Sequence, residues 1–336
     1  MEYKDIAQEL KQNTYRPVYF FYGDEPYFID RLTQHIQENA LSEAEKSFNQ
    51  TVLYGKDTDA ETVINTAKRY PMMASRQVVI LKEAQNLKGI DKLLYYFEKP
   101  QKSTVLVVNY KYGSPDKRTK FFKSLKKHAL LFESKKIPDY KVPEWIKKYL
   151  GRKEITIDSE AAVLMTEFLG NDLDKITHEL DKLQLAMPAG EKKITSADIE
   201  KNIGISKEYN PFELNKALAD KDVLKANRII RHFGKNPSSY AMPMIIGSLY
   251  FFFSKVLAFH FIKPEDRKDR KKVAGKLKAY PSLVWQYENA AKKYNYRKAA
   301  RIISYLREYD MKSKGMNNVS ASEGELLKEL IFKILH

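Results

Sequence analysis

The chain has 336 residues, 43% of them hydrophobic, enough to build the cores of two or three domains. It holds no cysteine, which excludes disulfides, thiolate metal sites and cysteine nucleophiles. Its 59 Lys and Arg against 43 Asp and Glu leave a formal charge of +16, which points to an anionic partner, and nucleic acid is the usual one.

The N-terminus is charged from Glu2 to Asp5, and no apolar core with a small-residue cleavage site follows, so the expected location is the cytoplasm. Short apolar runs at 18–22, 50–54, 77–81, 104–109 and 130–132 read as strands. Helical patterns fall between them at 25–39, 60–70 and 90–97, with a basic helix near 117–127. Such alternation predicts a mostly parallel sheet covered by helices on both faces.

The segment KIPDYKVPEW at 136–145 breaks this pattern with two prolines and reads as a linker. Strand signals nearly vanish beyond it. Short helices are expected over 143–205, capped by Asp158 or Ser159 and by Thr195 or Ser196. Longer amphipathic helices follow from 210, the last two near 296–312 and 320–335. Three domains result: α/β over 1–140, small helical over 141–208, and larger helical over 209–336. The apolar stretch 245–262 carries Lys255 and His260 within a longer helical pattern and reads as a buried helix, with no membrane partner expected.

The first strand exit, VYFFYGDEPYFIDRL at 18–32, stands where an α/β nucleotide-binding domain keeps its phosphate loop. Such a loop needs Gly-x4-Gly-Lys-Ser/Thr, because amides cradle the phosphates, the lysine reaches them and the hydroxyl holds magnesium. Counted from Gly23, those positions are Phe28, Ile29 and Asp30, and Asp24 and Glu25 place like charge beside a triphosphate. The third strand ends Leu81-Lys82-Glu83, without a magnesium-binding Asp. The domain thus reads as an ATPase scaffold without a working site, needing no cofactor. The six histidines, at 35, 128, 178, 232, 260 and 336, include no pair at ligand spacing on one helix, so no metal is expected.

Residues 111–136 hold nine Lys or Arg against two acids, and 263–278 hold eight against three. Lys117, Arg118, Lys120, Lys123, Arg270, Lys271 and Lys272 are candidate DNA-facing cations, although solvated helix faces fit the same pattern. Leading into RYPMMASRQVVIL at 69–81, Val63, Ile64, Ala67 and Tyr70 share a helix face over 61–70, Pro71 stops that helix, and Met72 and Met73 sit at the exit. On local grounds the two methionines fill a gap beneath the sheet.

PVYFFYGDEPYFIDRL, PMMASRQVVIL, LGNDLDKITHELDKL at 169–183, NPFELNKALADKDVLKANRII at 210–230 and LREYDMKSKG at 306–315 together resemble the delta subunits of bacterial DNA polymerase III. The resemblance covers essentially the whole chain and rests on the order and spacing of these stretches. It implies an AAA+-like first domain without a working nucleotide site, a helical lid, and a helical collar that joins other clamp-loader subunits. It further implies a protein that binds the sliding clamp and opens it, Met72 and Met73 entering the clamp with Tyr70 flanking. Implied partners are the beta clamp, the tau/gamma ATPase subunits and delta prime in a hetero-oligomeric ring, and primed DNA. No catalytic site of its own is implied, although the chain would serve a DNA polymerase holoenzyme. Competing readings are a stand-alone basic DNA-binding protein and an AAA+ ATPase with an irregular nucleotide site.

Overall fold

The computed structural model describes residues 1–188, 190–203, 209–318 and 320–336, and the chain divides into two units, Met1–Ile137 and Pro138–His336. The first unit runs α1 (Tyr3–Lys11), β1 (Val18–Gly23), α2 (Pro26–Asn39), α3 (Glu43–Asn49), β2 (Gln50–Tyr54), α4 (Ala60–Ala67) and β3 (Gln77–Lys82). It continues with α5 (Leu94–Phe97), β4 (Thr104–Lys111), α6 (Lys120–His128) and β5 (Leu130–Ser134). The strands form one sheet in the order β2-β3-β4-β1-β5, and every pairing is parallel.

Parallel strands covered on both faces read as continuous apolar runs, because each alternate residue meets a different helical layer. Phe20, Val79, Leu81, Leu106 and Val108 pack with Val63, Ala67, Tyr96, Phe97, Phe121 and Leu125 from α4, α5 and α6. Tyr19, Phe21, Val78, Ile80 and Val107 face the other way, onto Ile6, Leu10, Ile29, Leu32 and Ile36 from α1 and α2. This is the parallel sheet covered by helices on both faces that the strand and helix alternation predicts.

The second unit contains α7 (Val142–Gly151), β6 (Thr156–Ile157), α8 (Ser159–Leu169), α9 (Leu173–Ala186), β7 (Lys193–Ile194) and α10 (Ser196–Ile203). Then come α11 (Pro211–Asp220), α12 (Val223–Lys235), α13 (Met242–His260), α14 (Arg270–Leu277), α15 (Val284–Lys293), α16 (Tyr296–Ser313) and α17 (Glu323–Leu335). Helices α11 to α17 share one apolar core. Gly234 on α12 and Gly324 on α17 allow a close crossing, since a Cβ on either would sit 3.4 Å from the Cα of the other. By length and composition α13 could cross a membrane. Its apolar face instead packs Ile245, Leu249, Phe253 and Val256 into that core.

Several details differ from the sequence reading. The expected helix at 60–70 ends at Ala67, before Pro71 can act, because side chains from β3, β4 and α5 already take the Ala67 carbonyl. The linker is shorter than 136–145: Pro143 lies in the first turn of α7, where its missing N–H costs nothing. Helices α1 and α3 and the small parallel β6-β7 ladder were not anticipated. The domain boundary expected at 208/209 lies at residues 204–208, outside the described residues.

Candidate functional site

Because the sheet is wholly parallel, connections from helix to strand gather at one edge and connections from strand to helix at the other. The α4 to β3 connection, carrying Tyr70, Met72 and Met73, therefore lies at the opposite edge from the β1 to α2 loop with Asp24.

The methionine tip is held from both sides. Asn49, the last residue of α3, is buried; it accepts from Met72 N–H at 2.7 Å and donates from Nδ2 to the Met72 carbonyl at 2.9 Å. At the other end Gln77 Nε2 donates to Arg69 O at 2.5 Å and to Thr104 Oγ1 at 2.8 Å. Thr104 Oγ1 in turn donates a hydrogen bond to Ala67 O at 2.8 Å, and Tyr96 OH donates to the same carbonyl at 3.3 Å. The Arg76 guanidinium carbon lies 4.8 Å from the centre of the Tyr15 ring.

Between these anchors the side chains turn outward. Met72 is 61% exposed, Met73 fully exposed and Tyr70 80% exposed. The methionines do not plug a gap beneath the sheet, and Tyr70 does not share the buried face of α4, since the helix has ended before it. Met73 has φ +50°, a left-handed conformation unfavourable for a residue with a long side chain. Phe48, next to Asn49, is also exposed. Asn49 and Gln77 were missed in the sequence, and no local signal ties Asn49 to a residue 23 positions away.

At the opposite edge the β1 to α2 loop is filled by its own contacts. Gly23 has φ +134°, and a Cβ there would lie 2.0 Å from Ser134 O. Ser134 accepts from Glu25 N–H at 3.2 Å and donates from Oγ to Glu25 O at 2.6 Å. The Glu25 side chain caps α2 by accepting from Tyr27 N–H at 3.1 Å, and Pro26 offers no N–H. The helix N-terminus, where a phosphate would find amides, is thus met by a carboxylate. Phe28 packs on Tyr3, Ile29 is buried in the core, Asp30 pairs with Lys111 at 2.7 Å, and Asp24 points to solvent.

The basic candidates divide. Lys117 pairs with Glu133 at 3.2 Å, and Arg118 with Asp116 at 2.9 Å. Lys120 and Lys123 are exposed on α6. Arg270, Lys271 and Lys272 are exposed in the first turn of α14, where their charge opposes the helix dipole. Asp269 offsets this by accepting from the N–H groups of Lys271 and Lys272 at 2.9 and 3.2 Å. Arg267 of the same stretch instead closes the end of α13, donating to Ile262 O at 2.9 Å and His260 O at 3.0 Å. Among the described residues no three His, Asp or Glu side chains gather so as to hold a metal.

Residues 19–135 match the family model described as DNA polymerase III, delta subunit. The chain is 25% identical over 322 residues to the DNA polymerase III subunit delta of Bacillus subtilis (strain 168), covering 92% of this chain and 91% of that relative. Among solved structures it superposes on the Bacillus subtilis DNA clamp loader delta protein with a TM-score of 0.57 and 24% identity, covering 99% of both chains.

Proposed function

From its similarity to the DNA polymerase III delta subunits, we propose that this chain is the clamp-loader subunit that grips the sliding clamp and favours its open form. The observation that carries the reading is an outward-facing methionine pair whose backbone is fixed by Asn49. Methionine is unbranched and polarizable and fits irregular apolar pockets. Two such anchors entering a pocket form the small buried cluster that dominates many interfaces, each losing about 1 to 3 kcal/mol on truncation. Tyr70 flanks them.

The action is mechanical. A protein that binds the open ring better than the closed one shifts the clamp toward opening by that difference in affinity, and needs no hydrolysis of its own. Nucleotide is held by the tau/gamma ATPase partners, with delta prime completing the ring and primed DNA as its cargo. The filled β1 to α2 loop supports this division of labour. The first unit then serves as the clamp-binding domain over 1–140, 141–208 as the lid, and 209–336 as the collar, in a cytoplasmic complex away from membranes. Lys120, Lys123, Arg270, Lys271 and Lys272 are its candidate DNA-facing cations, with Lys117 and Arg118 already partnered.

The test is capture of the cognate sliding clamp by the wild type and by a Met72→Ala/Met73→Ala double variant. Strong loss of capture with unchanged thermal stability is expected, because exposed side chains contribute little to folding. Undiminished capture overturns the assignment of the tip.

A further inference from the structure

Residues 292–301 read KKYNYRKAAR, five cations without a carboxylate. They span the end of α15 and the first turns of α16, and the turn after α11 brings a sixth cation beside them. Lys221 Nζ lies 5.2 Å from the centre of the Tyr294 ring, whose hydroxyl donates to Leu218 O at 2.9 Å. Two of the six are neutralised, Lys292 by Glu288 at 3.1 Å and Lys293 by Asp220 at 3.8 Å. Lys221, Arg297, Lys298 and Arg301 have no carboxylate within ion-pair distance among the described residues.

Three of them, Lys221, Lys298 and Arg301, are close enough to feel one another. Burial first, and then the fields of Lys221 and Arg301, hold the Lys298 ammonium below the usual lysine range. Arg301 follows Arg297 by four residues and Lys298 by three, so the three share one side of α16. Beside them Tyr296 is half exposed; its hydroxyl accepts from Arg297 Nε at 3.0 Å, and the guanidinium carbon lies 5.7 Å from its ring centre.

Gathered like charges without counter-ions oppose folding, and an arriving polyanion relieves that repulsion. A phosphate backbone meets several cations in succession and releases its own counter-ions. An exposed ring beside such cations adds a platform for an unpaired base, which a duplex does not offer and an acidic protein face does not use. We propose that Lys221, Tyr296, Arg297, Lys298 and Arg301 form a binding face for single-stranded nucleic acid, the cations on phosphates and Tyr296 stacked on a base. The proposal goes beyond clamp docking and does not depend on it.

The test titrates the full chain against a short labelled oligothymidylate, followed by fluorescence anisotropy at several salt concentrations. Lys298→Glu/Arg301→Glu is expected to weaken binding about tenfold at low salt and to flatten the log-log salt slope by about 1.4, two phosphates' worth. Tyr296→Ala is expected to weaken it about fivefold with the slope unchanged. Lys4→Glu/Lys11→Glu makes the same change in net charge on α1 and should cost less than about twofold, through the general field alone. Melting curves establish that each variant is folded. The proposal fails if the α16 charge reversal costs no more than the α1 control. It also fails if Tyr296→Ala is inert. Wild-type oligonucleotide binding by a charge-reversed variant that no longer joins other loader subunits would assign the face to an acidic protein surface instead.

Discussion

Asn49 holds Met72 by both of its backbone polar groups, with Met72 N–H donating to Oδ1 at 2.7 Å and Nδ2 donating to the Met72 carbonyl at 2.9 Å. One buried amide thereby fixes the exposed tip without touching its apolar side chains. A tip fixed before docking does not lose that freedom on binding, which strengthens association without adding a contact. Asn49→Ala should lower folding stability by about 1 to 2 kcal/mol, read from urea unfolding. It should also weaken clamp binding several-fold by calorimetry although Met72 and Met73 remain. Wild-type affinity in the variant would show that the grip plays no part in docking.

Met73 separates folding from docking more sharply. Its left-handed backbone at φ +50° is a conformation that glycine adopts freely and methionine does not. Met73→Gly should raise stability by about 0.5 to 1 kcal/mol, because the strain removed exceeds the added chain entropy of glycine. The same change deletes a fully exposed anchor and should weaken clamp binding. A melting temperature that rises while affinity falls is the expected pair of results; a fall in both would mean that the Met73 side chain packs on its own protein.

Gln77 sits where α4 gives up its carbonyls, and its Nε2 reaches Arg69 O and Thr104 Oγ1 while buried beneath the tip. Gln77→Leu keeps the volume and removes the donor, leaving Arg69 O without it and freeing Thr104. Unmet buried acceptors cost about 1 to 3 kcal/mol, so the urea midpoint should fall accordingly. A Gln77→Leu midpoint equal to wild type would mean that solvent satisfies these carbonyls.

Strands β1, β3 and β4 were legible because burial on both faces makes them continuous apolar runs, as in Val78 to Leu81 and Val105 to Val108. The outward turn of the methionines was not, since nothing in PMMAS distinguishes a plug from a tip. Helix α3 was hidden for a related reason. Its seven residues bury only Asn49, so it has no apolar stripe to betray it. The grip on Met72 joins residues 23 apart, and the Gln77 to Thr104 bond joins residues 27 apart, distances at which sequence periodicity carries no information. The strands β6 and β7 have two residues each, too few for alternation to register. The cations at 292–301 were in plain view, but only the fold brings Lys221 to them and shows which lack a partner.

Titration of the chain with a fluorescent ATP analogue and magnesium should show no saturable binding. At the start of α2 the Glu25 carboxylate already accepts from Tyr27 N–H, and Pro26 has no proton to give. A triphosphate would therefore face a negative charge where it needs amides. The position of the phosphate-binding lysine belongs to Ile29, which is buried in the core, and that of the magnesium-binding hydroxyl to Asp30, paired with Lys111. Three defects of separate origin mean that repairing one restores nothing, so Glu25→Ala should remain without affinity as well. Binding of the analogue in the micromolar range, displaced by unlabelled ATP, would return the chain to the nucleotide-binding members of its fold.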